Sequence, residues 1–209
     1  MPSILIADDH SLFRRGVKDL LSDGLEAATI GECGNAYDLL ESVRHKKWDV
    51  VILDIGMPGT TGTEALMQVK RERPSLPVIV LSMHPEDQYA VRMFKAGANA
   101  YLTKASAPEE LVRAVKKVLT GGQYVSPSLG EKLVHLLHRG DEQKPHELLS
   151  DREYEVMRLL ASGKTVSEIA ESMHLGTTTV STYRARILDK LHIKNNAELI
   201  RYAMDHGIA

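Results

Sequence analysis

Disulfides, membrane spans and a strong net charge are all missing from this sequence. Cys33 is its one cysteine, so no disulfide can form within the chain, and a reducing, cytoplasmic compartment is expected. No run reaches the roughly 18 consecutive apolar residues of a membrane span, and the first residues lack the positive charge of a signal peptide. The net charge is −2, so any contact with nucleic acid must depend on the local placement of side chains.

What is present is an ordinary globular composition. Apolar residues make up 43% and charged residues 26% of the chain, which excludes wholesale disorder. With domains of about 150 residues as a guide, the 209 residues predict one large domain, or a medium domain followed by a small one.

The first 121 residues repeat one unit, in which a short apolar run and a polar loop precede a segment of helical period. Strands are predicted at Ile4–Ala7, Ala28–Cys33, Val50–Leu53, Val78–Leu81 and Ala100–Leu102, and helices at Ser11–Ser22, Ala36–His45, Gly62–Arg73, Asp87–Ala96 and Pro108–Thr120. The third and fourth strands are apolar without alternation, which is typical of strands covered on both faces. The pattern predicts an α/β domain with a doubly wound, five-stranded parallel sheet.

Polar side chains stand at the carboxyl ends of these predicted strands. Asp8 and Asp9 follow the first strand, Asp54 the third and Ser82 the fourth, and Lys104 comes shortly after the fifth. Each of them alone is as well explained as a cap of the next helix. Together they favour a site, because doubly wound sheets bind ligands beyond the carboxyl ends of their strands.

The residue types predict the chemistry of that site. Two unit negative charges ~4 Å apart repel each other by about 4 kcal/mol at an effective dielectric constant of about 20, so three clustered aspartates need a cation. Mg²⁺ fits, since it binds one or two carboxylates, keeps several waters and bridges to phosphate oxygens; Mn²⁺ could substitute for it. A carboxylate beside the cation can attack phosphorus and form an aspartyl phosphate. A lysine and a serine hydroxyl would stabilise its charge.

The motifs that carry this pattern are Asp8-Asp9, Asp54-Ile55-Gly56-Met57-Pro58, Ser82 and Tyr101-Leu102-Thr103-Lys104. They resemble the receiver domain of two-component response regulators, which has a flavodoxin-like fold. The resemblance implies that Asp54 is the phosphoacceptor. The metal ligands that it implies are Asp9, Asp54, the carbonyl group of Gly56 and, mostly through water, Asp8.

The same resemblance implies roles for three further side chains. Ser82 and Lys104 would contact the phosphoryl group, and Tyr101 would be the aromatic side chain that reorients with Ser82. A flavin-binding module of similar fold is excluded, because Asp8-Asp9 after the first strand would repel a phosphate. A phosphatase with an aspartyl nucleophile is disfavoured as well, because it would need a second aspartate as acid and base at the position that Gly56 occupies.

The chain changes character after residue 121. Residues 122–147 hold scattered glycine and proline and predict a linker, with a helix-like apolar stripe at Leu129–Leu137. Residues 148–209 predict four helices, with a capping box of Ser150 and Glu153 at the first and with Thr165 and Thr177 as caps of the next two. A short turn containing glycine between the second and third helices predicts a helix-turn-helix, whose second helix enters the major groove of DNA.

The third of these helices has two different faces. Val180, Ile187 and Leu191 share one face, and small or polar side chains with arginines lie opposite. A four-helix domain that binds protein partners would explain the same pattern.

The residues Leu149-Ser150-Asp151-Arg152-Glu153, Glu168-Ile169-Ala170, Thr179-Val180 and Lys190-Leu191 resemble the LuxR-type helix-turn-helix. Joined to a receiver, this domain is similar to the NarL/FixJ class of response regulators. The resemblance implies base-reading positions at Ser181, Thr182 and Ala185, and phosphate contacts at Thr179, Arg184 and Arg186. It also implies a dimer interface on the last helix, with Leu199, Arg201 and Tyr202 as candidates.

These observations predict a cytoplasmic transcription regulator that is phosphorylated on Asp54, in the presence of Mg²⁺, by a sensor histidine kinase or a small phosphodonor. It would bind promoter DNA as a homodimer on activation, contact no membrane, and catalyse nothing beyond its own phosphorylation and slow dephosphorylation. The alternative is a receiver whose helical domain binds protein or RNA. A phosphotransfer sink without output is disfavoured by the intact helix-turn-helix.

Overall fold

The computed structural model describes residues 1–57, 62–131 and 145–208. The chain forms two compact units, Met1–Gly140 and Asp141–Ala209. Two predicted features lie outside the described residues. They are Pro58, the last residue of the motif that begins at Asp54, and the part of the predicted Leu129–Leu137 stripe that follows residue 131. Among the described residues, no helix has the length and apolar character needed to span a bilayer.

The first unit is a parallel sheet with helices on both faces, as the sequence predicts. Its strands are β1 (Ser3–Ala7), β2 (Thr29–Cys33), β3 (Val50–Asp54), β4 (Val78–Ser82) and β5 (Ala100–Thr103). Its helices are α1 (Ser11–Gly24), α2 (Ala36–His45), α3 (Gly62–Glu72), α4 (Glu86–Lys95) and α5 (Ala107–Leu119). All four strand pairs are parallel, and the strand order is β2-β1-β3-β4-β5.

Burial explains why the central strands are uniformly apolar. Every residue of β3 and of β4 is buried, because α1 and α5 cover one face of the sheet with side chains such as Leu21 and Leu111, while helices also pack on the other face. From β1 the chain goes to β2 on one side, and it then crosses to β3 on the other side of β1. The switch point of the topology therefore lies at the carboxyl ends of β1 and β3, where Asp8 and Asp54 stand.

A segment after α5, residues 124–129, folds back on the first unit and is called the strap below. The backbone N–H of Tyr124 donates to the carbonyl oxygen of Asn99 at 2.9 Å, and Tyr124 forms a parallel bridge with Ala100 of β5. The hydroxyl of Ser126 donates to Oε2 of Glu86, the first residue of α4, at 2.5 Å. Leu129 is buried, so the start of the predicted linker is packed against the parallel sheet and α4.

Within residues 145–208, the second unit contains a 3₁₀ turn (Pro145–Leu148) and four α-helices: α6 (Asp151–Ala161), α7 (Val166–Ser172), α8 (Thr177–Lys190) and α9 (Asn196–Asp205). Capping boxes of Ser150 with Glu153 and of Thr165 with Glu168 open α6 and α7. The predicted cap of α8 is wrong, since Gly176 takes the cap position with no side-chain hydrogen bond and Thr177 is the first helical residue. Between α7 and α8, His174 has a φ of 53°, which turns the chain tightly.

Candidate functional site

Four side chains that could bind a metal ion meet at the carboxyl edge of the parallel sheet. Asp8, Asp9 and His10 lie in the loop from β1 to α1, and Asp54 ends β3. One ligand atom from each of them lies within 4.8 Å of all the others. Asp8 and Asp54 are buried, with 1% and 3% of their surface exposed, whereas Asp9 and His10 are exposed. The sequence prediction that the carboxylates of the first and third strands converge is met by this geometry.

Lys104 joins the two buried carboxylates from the opposite side. Its Nζ lies 2.7 Å from Oδ2 of Asp8 and 2.7 Å from Oδ2 of Asp54, and only 8% of its side chain is exposed. The ring of Phe13 lies beneath the ammonium, 4.6 Å from Nζ to the ring centroid. Burial alone would lower the pKa of Lys104, but its hydrogen bond to Asp54 and its ion pair with Asp8 raise that pKa overall, so the side chain stays a cation.

Backbone amides hold the carboxylates in place. The N–H of His10 donates to Oδ1 of Asp8 at 2.7 Å, and the N–H of Gly56 donates to Oδ1 of Asp54 at 2.8 Å. Burial raises the pKa of Asp54, an effect that its bonds to Lys104 and Gly56 partly oppose. The charged carboxylate is therefore poorly solvated, which leaves it reactive toward a positively polarised phosphorus.

The donor set suits a hard divalent cation. Three carboxylates face a single ammonium, which leaves an excess of two negative charges among Asp8, Asp9, Asp54 and Lys104. Oδ2 of Asp8 is buried and, among the described residues, forms an ion pair with Lys104 but no hydrogen bond of good geometry. The cluster could thus hold a metal ion, and carboxylate oxygens are the ligands that Mg²⁺ and Mn²⁺ prefer.

Ser82 and Tyr101 are connected through the backbone of His84. Oγ of Ser82 accepts the N–H of His84 at 2.9 Å, and the hydroxyl of Tyr101 donates to the carbonyl oxygen of the same residue at 3.0 Å. Ser82 and Tyr101 are both buried, so the tyrosine ring lies inward in this structure. The ring of His84 also stacks on Tyr89 of α4, with centroids 4.4 Å apart. The two predicted switch residues therefore share one partner, which the sequence did not reveal.

An apolar hollow of about 560 Å³ lies beside the acidic cluster. It is lined in part by Leu12 and Phe13 of α1, by Met83, and by Ala107 and Pro108 of α5. Leu12 is 84% exposed and Met83 80% exposed, although both are large and apolar. An approaching protein could bury them while reaching Asp54.

The helix-turn-helix presents the predicted face of α8. Val180 and Ile187 are fully buried, and Leu191 is nearly so. The predicted DNA-contact residues Thr179, Ser181, Thr182, Ala185 and Arg186 are all exposed. Small side chains and hydroxyls along an exposed helix allow close approach to the floor of a groove.

Arg184, the remaining predicted contact, is half-buried and is held by another helix. Its Nε donates to Oδ1 of Asn196, the first residue of α9, at 2.7 Å. A guanidinium has five N–H donors, so donors remain that could reach a phosphate. Sequence reasoning missed Asn196; the nearest local signal was the neighbouring Asn195, which caps α9.

The three candidates for a dimer interface have different environments within the second unit. Leu199 is fully buried in the core of its own unit, so a dimer face on α9 would have to use other side chains. Arg201 is exposed, and Tyr202 is half-buried. Tyr202 stacks on His206, with centroids 4.1 Å apart, and its hydroxyl lies 2.9 Å from Nδ1 of His146.

Two family models match the chain. Residues 4–116 match the response regulator receiver domain, and residues 147–203 match the bacterial regulatory proteins of the luxR family. Over 211 aligned residues the chain is 36% identical to the response regulator GacA of Pseudomonas aeruginosa, with 100% of this chain and 98% of that protein covered.

Two solved structures are similar to this chain over almost all of its length. RcsB from Salmonella enterica serovar Typhimurium, bound to promoter DNA in the presence of the phosphomimetic BeF₃⁻, matches with a TM-score of 0.61 and 28% identity, over 96% of this chain and 97% of that one. A structure of two RcsB dimers bound to two parallel DNAs matches with a TM-score of 0.60 and 27% identity, over 97% and 98% of the two chains.

Proposed function

Because the chain belongs to the response regulators that join a receiver domain to a luxR-type helix-turn-helix domain, we propose that it is a DNA-binding transcription regulator controlled by phosphorylation of Asp54. The observation that carries the proposal is the position of Asp54 at the end of β3, within a cluster of carboxylates and bonded to Lys104 at 2.7 Å. Members of this family are regulators rather than enzymes with external substrates. The functional parts are the receiver (1–121), the linker (122–147) and the DNA-binding domain (148–209).

Asp54 is the nucleophile. One of its carboxylate oxygens forms a bond to the phosphorus atom of the donor. The bond from phosphorus to the leaving atom breaks, and that atom keeps the electron pair. For a phosphorylated histidine of a sensor kinase the leaving nitrogen ends as neutral imidazole after the ring takes a proton; for a small acyl phosphate the carboxylate leaves as an anion. Hydrolysis of the aspartyl phosphate later returns Asp54 to its first state.

Bound Mg²⁺ supplies positive charge to the oxygens of the transferred phosphoryl group. Asp9, Asp54 and the carbonyl group of Gly56 would hold it directly and Asp8 through water, and Mn²⁺ could replace it. Lys104 and the Ser82 hydroxyl each contact one phosphoryl oxygen. The apolar surface around Leu12 and Met83 receives the protein that carries the phosphorylated histidine.

Phosphorylation acts on the link between Ser82 and Tyr101. When the Ser82 hydroxyl turns toward the new phosphoryl oxygens, its contact with the N–H of His84 changes. The carbonyl oxygen of His84 accepts the hydrogen bond from the Tyr101 hydroxyl. The change at His84 therefore reaches the tyrosine ring and the surface formed by α4, β5 and α5. The phosphorylated state favours the inward position of Tyr101, which this structure already shows, and a homodimer that binds promoter DNA.

The helix-turn-helix reads DNA with α8. Ser181, Thr182 and Ala185 contact base edges, and Thr179, Arg184 and Arg186 contact phosphates. The similarity to RcsB, which has been solved as dimers on DNA, supports both the target and the assembly. Because chromosomal DNA is that target, the protein acts in the cytoplasm.

The assignment of Asp54 is tested with radiolabelled acetyl phosphate and Mg²⁺. Wild-type protein is expected to take up label, and Asp54→Asn to take up none. Asp49→Asn is the matched control, because Asp49 is an exposed aspartate just before the same strand, and it should label like wild type. Label retained by a folded Asp54→Asn variant would refute the assignment.

The DNA-binding role is tested by gel shifts on random genomic duplex fragments, with and without acetyl phosphate. A shift that strengthens on phosphorylation supports the proposal. A receiver with a protein- or RNA-binding helical domain is the alternative. Shifts of RNA but not of duplex DNA, or no nucleic-acid binding in either state, would favour that alternative.

A further inference from the structure

Arg14 connects the acidic loop to two other elements of the receiver. It lies in the first turns of α1, and its Nη1 donates to the backbone carbonyl oxygen of Asp8 at 2.5 Å. Its Nε lies 3.5 Å from Oε2 of Glu32 in β2. Glu32 is held in turn by Lys18, whose Nζ lies 3.1 Å from Oε1. Only 18% of the Arg14 side chain is exposed.

The carbonyl group that Arg14 binds belongs to the peptide between the two aspartates. A peptide unit is planar, so fixing its oxygen sets the plane from which both side chains leave. The N–H of Asp8 is already fixed by the carbonyl oxygen of Cys33, at 3.2 Å. Among the residues that the structure describes, no backbone group donates to the exposed carboxylate of Asp9, which lies 2.9 Å from Nδ1 of His10. The bond from Arg14 therefore limits the directions that the Asp9 side chain can take.

On charge alone, an arginine is a poor neighbour for a cation site. A guanidinium always carries a positive charge, which repels a bound cation. The ion pair with Glu32 offsets that charge, so the hydrogen bond to the Asp8 carbonyl remains while the repulsion is reduced. This combination is expected of a group that orients the site rather than one that tunes its charge.

We infer that Arg14 is a positioning residue for the cation site, which holds Asp8 and Asp9 in the orientation that binds a divalent cation. The inference rests on the proposed function, in which these carboxylates hold Mg²⁺. The charge of Arg14 and its positioning bond affect the affinity for Mg²⁺ in opposite directions. Loss of the positive charge by itself would tighten Mg²⁺ binding, whereas loss of the positioning bond weakens it.

The test measures the Kd for Mg²⁺ by isothermal titration calorimetry on the full chain. Arg14→Met removes the donors but keeps an unbranched stem, and its Kd is expected to rise about tenfold, the lower end of the loss typical of groups that orient metal ligands. Arg14→Lys keeps a charged donor and is expected within about threefold of wild type. Arg15→Ala is the matched control, since Arg15 is the next residue and is exposed; its Kd should not rise.

A second measurement separates positioning from a purely structural role. The rate of labelling by acetyl phosphate in Arg14→Met should be low at limiting Mg²⁺ and should return to within about twofold of wild type at saturating Mg²⁺, with an unchanged circular dichroism spectrum. Arg14→Ala gives the same comparison if the methionine disturbs packing. An unchanged or tighter Kd in the folded variants would overturn the inference. No Mg²⁺ binding by wild type would instead reject the metal site of the proposed function.

Discussion

Arg184 and Asn196 allow a quantitative test of the DNA-binding face. If Arg184 contacts one phosphate, Arg184→Ala releases one fewer counterion per subunit. The slope of log K against log salt concentration should then fall by about 0.9, or about 1.8 for a dimer. The loss should be similar on every duplex sequence, because a phosphate contact carries no sequence information.

Asn196→Ala is expected to change the affinity for DNA rather than its dependence on salt. It keeps the guanidinium but removes the hydrogen bond of 2.7 Å that holds it beside the exposed face. Immobilising a free arginine side chain costs up to about 2 kcal/mol. If the bond to Asn196 already restricts half of that freedom, its loss costs about 1 kcal/mol, or about fivefold in affinity per subunit. The salt slope should not change.

The assay is fluorescence anisotropy with one duplex fragment between about 50 and 200 mM salt. Arg186→Ala is the matched background, because Arg186 is exposed on the same helix. Asn196→Ala should keep its effect in that background and lose it in Arg184→Ala. A slope that is unchanged in Arg184→Ala, or an effect of Asn196→Ala that persists without Arg184, would refute the reasoning.

Three further predictions concern groups that are buried or bonded within each unit. Burial raises the pKa of Cys33 to about 12, so about one thiol in 10⁵ is ionised at pH 7, and a thiol reagent should modify native protein far more slowly than protein in urea; complete reaction within minutes without denaturant would contradict this. Burial alone would raise the pKa of Glu153, but bonds from Lys190 and the backbone lower that pKa overall. Because the pKa of Glu153 is lower in the folded than in the unfolded protein, Glu153→Gln should reduce the free energy of unfolding in urea at pH 7 by about 1–3 kcal/mol. The difference between the variant and wild type should shrink as the pH falls below about 4, and a difference that stays constant would argue against the ion pair. Glu86→Ala removes the acceptor of the strap hydroxyls, so the amide of Leu129 should exchange hydrogen faster than in wild type, while equal rates would show that the strap is held by other contacts.

The sheet and its site could be predicted because each strand is marked by its own short apolar run, and several such runs together define the sheet. Strands covered on both faces leave unbroken apolar runs, as in β3 and β4, and the carboxyl ends of parallel strands meet at one edge. Asp8 and Asp54 could therefore be placed together although they are 46 positions apart in the sequence. The capping boxes of α6 and α7 were equally visible, since both partners lie within three residues.

What remained hidden depends on pairs that no local period encodes. Arg14 is one of two adjacent arginines, and the sequence does not show which of them turns inward to the Asp8 carbonyl. Asn196 meets Arg184 only because α8 and α9 pack side by side. Thr177 was predicted to cap α8, but Gly176 takes that position and Thr177 is the first helical residue. Backbone geometry rather than side-chain chemistry decides where this helix begins.

The strap also closes an open side of the sheet. β5 is an edge strand, and the other edge, β2, carries the exposed polar side chains of Thr29 and Glu32, which discourage pairing with a foreign strand. At Ala100 the backbone of Tyr124 occupies the open edge of β5. A receiver fragment that ended at Gly121 would leave those backbone groups bare, so intermolecular strand pairing would begin there. The chain that leads out of the receiver thus also protects it from edge-to-edge strand pairing at β5.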